Sequence, residues 1–572
     1  MILQALTRYY EELAKQEKIA RPGWSKTKIS YALCINERGE LELVIPLLEN
    51  TEGKKPRPQQ FDLPAPVKRS SGIVPNFLWD NSDYMLGIGA KGKPERSMEC
   101  FDACKQLHHL LLDGVDSVTA KAILAFFDAW NPATAHEHSA LRADFDAITA
   151  GGNLMFRVNG AYAYKDEAIC RVWQTQYDSS EGEMKQCLVT GKDDVIVAVH
   201  PAIKGVDGAQ SSGANVVSFN APAFCSYGQE QNYNAPVGKY AAFAYTAALN
   251  HLLADREKVQ KIGNTTVVCW ADDAEPQYQA FTFAALFGKQ QETLSEDDVC
   301  NAVKRLAEGQ PVEERNLKPD QPFYILGLSP NSARLSVRFF YRGTFGELMR
   351  NVNAHHERMK IVKPSYEKFE TIPLWAMLHE TVNPKSRDKS PSPVLAGAVA
   401  RAIFTGSLYP AALLEQTMLR IRAERKVSRG RAAIIKAYYL RNHNDDCPKE
   451  VLTVALNEAS TNPAYTLGRL FSVYEKIQNA ANPDIKATIK DKYFNSAAST
   501  PATIFPVLDN LCQKHLRKLS KGSRIFYEKQ IMILASVLGE EYPARLNLPQ
   551  QGSFNLGYYH QTQRFYEKKE DE

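Results

Sequence analysis

The sequence predicts an α+β protein, with an irregular N-terminal α/β body of mixed and antiparallel strands followed by an all-helical C-terminal bundle. Three observations carry this. Apolar runs of strand length and strand character recur at 28–47, 154–164, 194–201, 265–271 and 323–341. After the proline- and serine-rich run TVNPKSRDKSPSP at 381–393, helical periodicity takes over almost throughout. Within the strand-rich part lies Lys204–Pro236, KGVDGAQSSGANVVSFNAPAFCSYGQEQNYNAP, which has neither period. The expected division is a body over 1–385, a linker with basic helices over 386–450, and a bundle over 451–572.

The elements follow in order. Ile2, Leu3, Leu6, Tyr9, Tyr10 and Leu13 have helical spacing. Residues 28–35 and 40–47 flank the turn Asn36–Gly39 and read as a β-hairpin. KKPRPQQFDLPAP at 54–66 has four prolines and three cations, and is expected to be extended and exposed. Residues 97–146 read as helical, with Ser117 as an N-cap. Residues 151–200 read as strands, and 241–254 as a helix whose start offers free N–H groups to an anion. The strand 265–271 ends in Asp272 and Asp273, and residues 285–310 read as helical. In 323–341 two strands flank the turn Ser329–Pro330–Asn331. HNDDCPKE at 443–450 ends a helix, and the bundle follows.

With 572 residues, 44% of them hydrophobic, the chain is globular and long enough for two to four cores. A net charge of +4 is too small to indicate a nucleic-acid partner, so any such footprint must be local. The N-terminus does not read as a signal peptide, and no run approaches the length of a membrane span. Ten cysteines without a secretion signal predict free thiols in a reducing, cytoplasmic setting.

Several residue groups could carry chemistry. Lys204, Gln210, Ser211, Ser212, Gly213, Asn215 and Asn220 combine glycine freedom with neutral donors and acceptors, the tools for reading polar edges in a groove. KRSSGIVPNFLWDNSDYMLGIG at 68–89 has the same character, with Ser70, Ser71, Gly72, Asn76 and Asn81 beside the ring of Phe77. A turn in which Asn and Asp bond their own backbone is the structural alternative there. Arg334, Arg338 and Arg342, spaced by four, would share one strand face. From Thr417 to Arg441 eight cations, among them Arg422, Arg425, Arg429, Arg431 and Lys436, stand against one acid, Glu424. Such a one-sided excess favours a polyanion. A second basic run, KHLRKLSKGSR, lies at 514–524. Cys100, Cys104 and His108 lie on one helical face, but without the second ligand pair of a closed zinc site they read as core. Asp272, Asp273 and Glu275 are the one candidate for metal-assisted hydrolysis, and a turn role is the commoner use of such a pair. No cofactor or resident metal is expected.

Five stretches carry a family resemblance: SSGANVVSFN with AFCSYGQEQNYNAPV, PNFLWDNSDYMLG (75–87), LGLSPNSARLSVRFF (326–340), YPAALL with RGRAAIIKAYYLR (409–441), and NPAYTLGRLFSVYEKIQ with ATIKDKYFNSAASTPATIFP (462–506). Together they resemble the large subunit of the type I-C CRISPR surveillance complex, Cascade. The resemblance implies a non-catalytic subunit that recognises the PAM in double-stranded DNA, helps open the duplex, stabilises the R-loop and licenses a helicase–nuclease. The implied partners are guide RNA with its 5′ handle, target DNA, backbone and handle-binding subunits, and small helical subunits from the same gene, started at Met418 or at an alternative codon such as that of Val451. Pairing to the guide would read the target, leaving the protein a short motif and duplex shape. The loops at 68–89 and 204–236 are then the expected reader, with Phe219 or Phe77 as the strand wedge and the basic helices along the displaced strand.

Overall fold

The computed structural model describes residues 1–49, 57–67, 69, 72–89, 94–179, 182–255, 259–288, 295–367, 369–539 and 541–567. It has the α+β composition expected, with strands confined to the N-terminal part and helices beyond. The chain divides into two compact units, residues 3–201 with 218–248, and residues 202–217 with 249–572.

In the first unit the helix Ile2–Lys15 buries Leu6, Tyr9, Tyr10 and Leu13, the stripe its spacing predicts. The hairpin forms from Tyr31–Ile35 and Leu41–Pro46. Tyr31–Ile35 also runs parallel to Asn153–Val158, which pairs antiparallel with Trp79–Asn81. Phe126 and Phe127 of the helix Val118–Ala129 pack with Phe156 to build the core on this sheet. Ser117 caps that helix, accepting from the Ala120 N–H. The proline-rich run is extended, as expected, but over Arg57–Pro64 it pairs with Trp24–Ile29 and buries Leu63. Lys54, Lys55 and Pro56 lie outside the described residues, and Pro58 and Pro64 stand near the strand's two ends, where a missing N–H costs least. Within 151–200, read wholly as strands, a helix Glu167–Asp178 intervenes. Asp166 caps it, and Ile169, Val172 and Trp173 supply a helical period too short to stand out.

The second unit is built on a four-stranded antiparallel sheet in the order Gln260–Ile262, Thr265–Ala271, Pro322–Asn331, Arg334–Thr344. Every residue of Thr265–Ala271 is buried. One hydrophobic core runs from this sheet through the helices to Tyr559. Helices within 386–450 contribute to that core. The helix Pro393–Thr405 buries Leu395, Val399, Ile403 and Phe404, and Phe404 meets Phe339 of the sheet edge-on. Proline and serine at 381–393 set the local chain path, but they do not decide whether the flanking helices share a core. The C-terminal helices include Pro463–Ala481 and Leu548–Arg564, which cross at glycines. A Cβ on Gly468 would lie 1.9 Å from the Phe554 carbonyl oxygen, and one on Gly557 2.0 Å from that of Tyr465. Arg469 is buried and donates to Gln561 at 3.2 Å.

Candidate nucleic-acid interface

In the second unit, residues 204–213 form a loop closed at its base. Ile203 and Ala214, both buried, exchange two backbone hydrogen bonds of 2.9 Å. Val206 is tucked inward, and the Asp207 N–H donates to Thr266 Oγ1 at 3.0 Å. The Lys204 N–H donates to Asn250 Oδ1 at 2.8 Å, leaving the lysine side chain exposed. At the far end the Gly213 N–H donates to the Gln210 carbonyl at 2.9 Å, so Gln210, Ser211 and Ser212 form an exposed tip. Gly213 has φ +100°, and a Cβ there would be 2.8 Å from that of Ala202 and 2.9 Å from the Ile203 carbonyl oxygen. No other residue fits without moving the base.

The same loop is fastened to the sheet. Asn215 bridges Arg334 as a short parallel pairing: its N–H donates to Ala333 at 3.1 Å, and its carbonyl accepts from Leu335 at 2.8 Å. Lys204, the Gln210–Ser212 tip and Arg334 are thus carried by one unit. The hairpin turn falls at Ser332–Ala333, with Ser332 at φ +56°, not at Ser329–Asn331. A bulge inserts Arg338 between the pairs Leu328↔Val337 and Gly327↔Phe339. Counting through an extra residue reverses the alternation, so Arg334, Arg338 and Arg342 do not share a face by the period-two rule.

Residues 218–236 belong to the first unit. Phe219 is half-buried and Asn220 exposed. Asn234 organises this loop: its Oδ1 accepts from the Ser226 N–H at 2.8 Å, and its Nδ2 donates to the carbonyls of Gln229 at 3.1 Å and Gln231 at 2.9 Å. The fold around Asn234 presents Tyr227 fully exposed at φ +53°. At the start of the helix Lys239–Ala254 the Asp194 carboxylate accepts from the Tyr240 N–H at 3.1 Å, so an acidic side chain of the protein itself already lies there.

From Gly72 on, the 68–89 stretch takes the structural alternative. Lys68, Ser70 and Ser71 lie outside the described residues, and Gly72 is exposed. Asn76 is buried and accepts from the Val67 N–H at 2.9 Å. Asn81 caps the helix Ser82–Met85. Asp80 accepts from the Asn76 N–H at 2.9 Å and is ion-paired with Arg69, whose guanidinium lies 4.1 Å from the centre of the Tyr84 ring. Phe77 is 1% exposed, stacked on Trp173 at 5.5 Å and beside His108 at 5.2 Å. It is a core ring, and reaching DNA would mean leaving the core. His108 closes the corner, with Nδ1 2.8 Å from the Cys104 carbonyl oxygen and Nε2 accepting from the Leu78 N–H at 3.1 Å. Burial pushes its pKa down to about 4, so it stays neutral here.

The sequence model of the family described as CRISPR-associated protein (Cas_Csd1) matches residues 6–566. The chain belongs to this CRISPR-associated family. No curated protein matches it.

In this Cas_Csd1 chain the basic run of 417–441 is two helices, Ala411–Glu424 and Arg429–Asn442, broken where Arg425 takes φ +52°. Arg429, Arg431 and Lys436 turn inward. Arg429, 6% exposed, pairs with Glu367 at 2.9 Å and donates to the carbonyls of Phe369 at 2.7 Å and Glu370 at 2.5 Å. Arg431 is buried between Glu424 at 2.8 Å and Glu380 at 3.2 Å. Lys436 is buried with its ammonium on the Arg358 carbonyl at 2.9 Å, and burial lowers its pKa to about 8. Arg422, Arg425 and Lys426 remain at the surface, Arg422 in a 2.7 Å bond to Gln551. Leu419 is exposed.

The carboxylates of the Cas_Csd1 chain at 272–275 serve a turn. Asp273 Oδ1 accepts from the Glu275 N–H at 3.1 Å, leading into the helix Pro276–Phe287, and burial raises the Asp273 pKa. Among the described residues no group of three or more His, Cys, Asp or Glu is placed to hold a metal ion. Nor is any helix among them long and apolar enough to cross a membrane.

Proposed function

We propose that this CRISPR-associated protein is the large, non-catalytic subunit of a type I-C Cascade complex, working in the cytoplasm. Its task is to recognise the PAM in duplex DNA, help open the strands, stabilise the R-loop and license a helicase–nuclease. The partners are guide RNA with its 5′ handle, target DNA, the backbone and handle-binding subunits, and small helical subunits from the same gene.

The observation that supports this reading best is the braced loop 204–213. Its tip offers one amide and two hydroxyls, neutral groups that donate and accept, beside the Lys204 ammonium. A base reader needs side chains held in register before it meets DNA, and the paired base with Gly213 supplies that stiffness. Gln210 and Ser212 then read base edges in a narrow groove, while Lys204 and Arg334 steady the backbone. Tyr227, the fully exposed ring, takes the wedge role in preference to Phe77, stacking on an unpaired base.

The experiment is binding of the assembled complex to PAM and non-PAM duplexes. Gln210→Ala with Ser212→Ala should erase most of the preference, since each base-edge hydrogen-bonding group removed takes away about 1–3 kcal/mol of discrimination. An equal fall on both duplexes would show that these residues hold phosphate and do not read. Tyr227→Ala should leave PAM preference intact and slow strand opening, followed with 2-aminopurine beside the PAM. Unchanged opening would remove Tyr227 from the wedge role.

A further inference from the structure

The helix Lys521–Leu538 has 18 residues, yet only Leu534 is buried. Tyr527, Ile531 and Leu538 are half-buried against the core of the second unit. The outer side carries two apolar pairs, Ile525 and Phe526, then Met532 and Ile533, exposed by 43, 49, 67 and 55%. The pairs recur at seven residues, two helical turns or about 10 Å apart. That is the repeat with which a second helix stays in register along its length. Lys529 lies between them, four residues from Ile525 and from Ile533, three from Phe526 and from Met532.

Lys529 is exposed and has no ion partner among the described residues, whereas Arg524 and Glu528 satisfy one another at 2.7 Å. A second copy of this helix is a poor occupant. Antiparallel pairing that sets Ile525 against Ile533 puts Lys529 against Lys529, and parallel pairing in register does the same. A lipid surface is also a poor fit, because a charge in the middle of the apolar stripe would have to enter the hydrocarbon. A helix with a carboxylate between two apolar side chains meets both requirements.

We propose that the outer face of Lys521–Leu538 is a docking surface for an amphipathic α-helix of another protein, which seats apolar side chains on Ile525/Phe526 and Met532/Ile533 and an Asp or Glu on Lys529. Lys514, Arg517, Lys518 and Lys521, exposed before and at the helix start, extend the preference for acidic flanks. The surface is independent of the DNA-reading loop.

The test uses the full chain and two fluorescein-labelled synthetic helical peptides of about 21 residues, the length of three heptads. Both carry leucine at positions spaced by seven, flanked by glutamate in one and by lysine in the other. Anisotropy titration should show the glutamate peptide binding about tenfold more tightly or better. Lys529→Glu should reverse that order, and Ile525→Ser with Met532→Ser should weaken the glutamate peptide at least as much. All three positions are exposed, so folding is preserved, and far-ultraviolet circular dichroism checks this. Equal binding of the two peptides, or an unchanged order in Lys529→Glu, overturns the proposal. So does loss of peptide binding in favour of phosphatidylglycerol–phosphatidylcholine vesicles, or sedimentation showing self-association that Met532→Ser abolishes.

Discussion

Replacing Arg429 by alanine separates a surface cation from a structural one. On sequence grounds Arg429 belongs with Arg422 and Arg425 to a stripe that holds a polyanion. In the fold its guanidinium reaches Glu367 at 2.9 Å and two carbonyls at 2.7 and 2.5 Å from a site 6% exposed. Breaking a buried pair costs about 3–5 kcal/mol, because the partner charge and the acceptors stay behind. Glu367 is 34% exposed at its side chain and regains some water, so the lower end applies, about 3 kcal/mol. For a unit of this size that is a fall of about 4 °C in melting temperature. Urea and thermal unfolding of the purified protein read the loss, and DNA binding by the complex from about 50 to 200 mM salt reads the charge. Arg429→Ala should destabilise and leave the salt slope of the folded complex unchanged. Arg422→Ala with Arg425→Ala should change stability less and lower the slope by about 0.7–0.9 for each phosphate left without its cation. An Arg429→Ala protein with wild-type stability and a reduced slope would refute the argument.

Two further outcomes follow from buried groups. Phe77→Ala should cost about 3–5 kcal/mol by emptying the site against Trp173 and His108, while complex that remains folded keeps its PAM preference; lost preference without lost stability would return Phe77 to the DNA surface. Lys436 has a folded pKa of about 8, whereas the unfolded chain keeps lysine's usual value of about 10.4. Between these values the unfolded state binds more protons, so stability rises with pH. Relative to Lys436→Met, the wild-type protein should gain up to about 1.4 kcal/mol per pH unit between about pH 8 and 10 in urea titrations. A pH-independent difference would mean that the ammonium is not desolvated.

Much of the fold was legible from local signals. The helix Ile2–Lys15, the hairpin around Asn36–Gly39, the Ser117 cap, the buried strand Thr265–Ala271 and the change to helices beyond residue 393 all rest on periods and caps that span a few residues. The family membership also lies in the sequence, in motifs distributed along the chain. The candidate site was half legible. Glycine and neutral polar residues marked 204–215 as a special loop, but the same composition at 76–81 builds a corner that satisfies its own polar groups. The exposed ring of Tyr227 was visible as an aromatic among polar residues, with Gly228 after it the one hint of unusual backbone.

What the sequence determined alone is therefore most of the local helix and strand pattern, and where polar and charged groups are concentrated, while the helix Glu167–Asp178 and the place of the turn at Ser332–Ala333 came only with the fold. Which of those groups face water is a property of how distant residues pack together. Arg429 turns inward because Glu367 and two carbonyls wait there, Asn76 because Val67 presents an N–H, and Phe77 because Trp173 and His108 stack on it. Gln210, Ser211 and Ser212 stay outside because Ile203, Ala214 and Asn215 pin the base of their loop to the sheet. A side chain's chemistry is written at its own position, but whether it is used inside the fold or offered to a partner is decided by the tertiary structure.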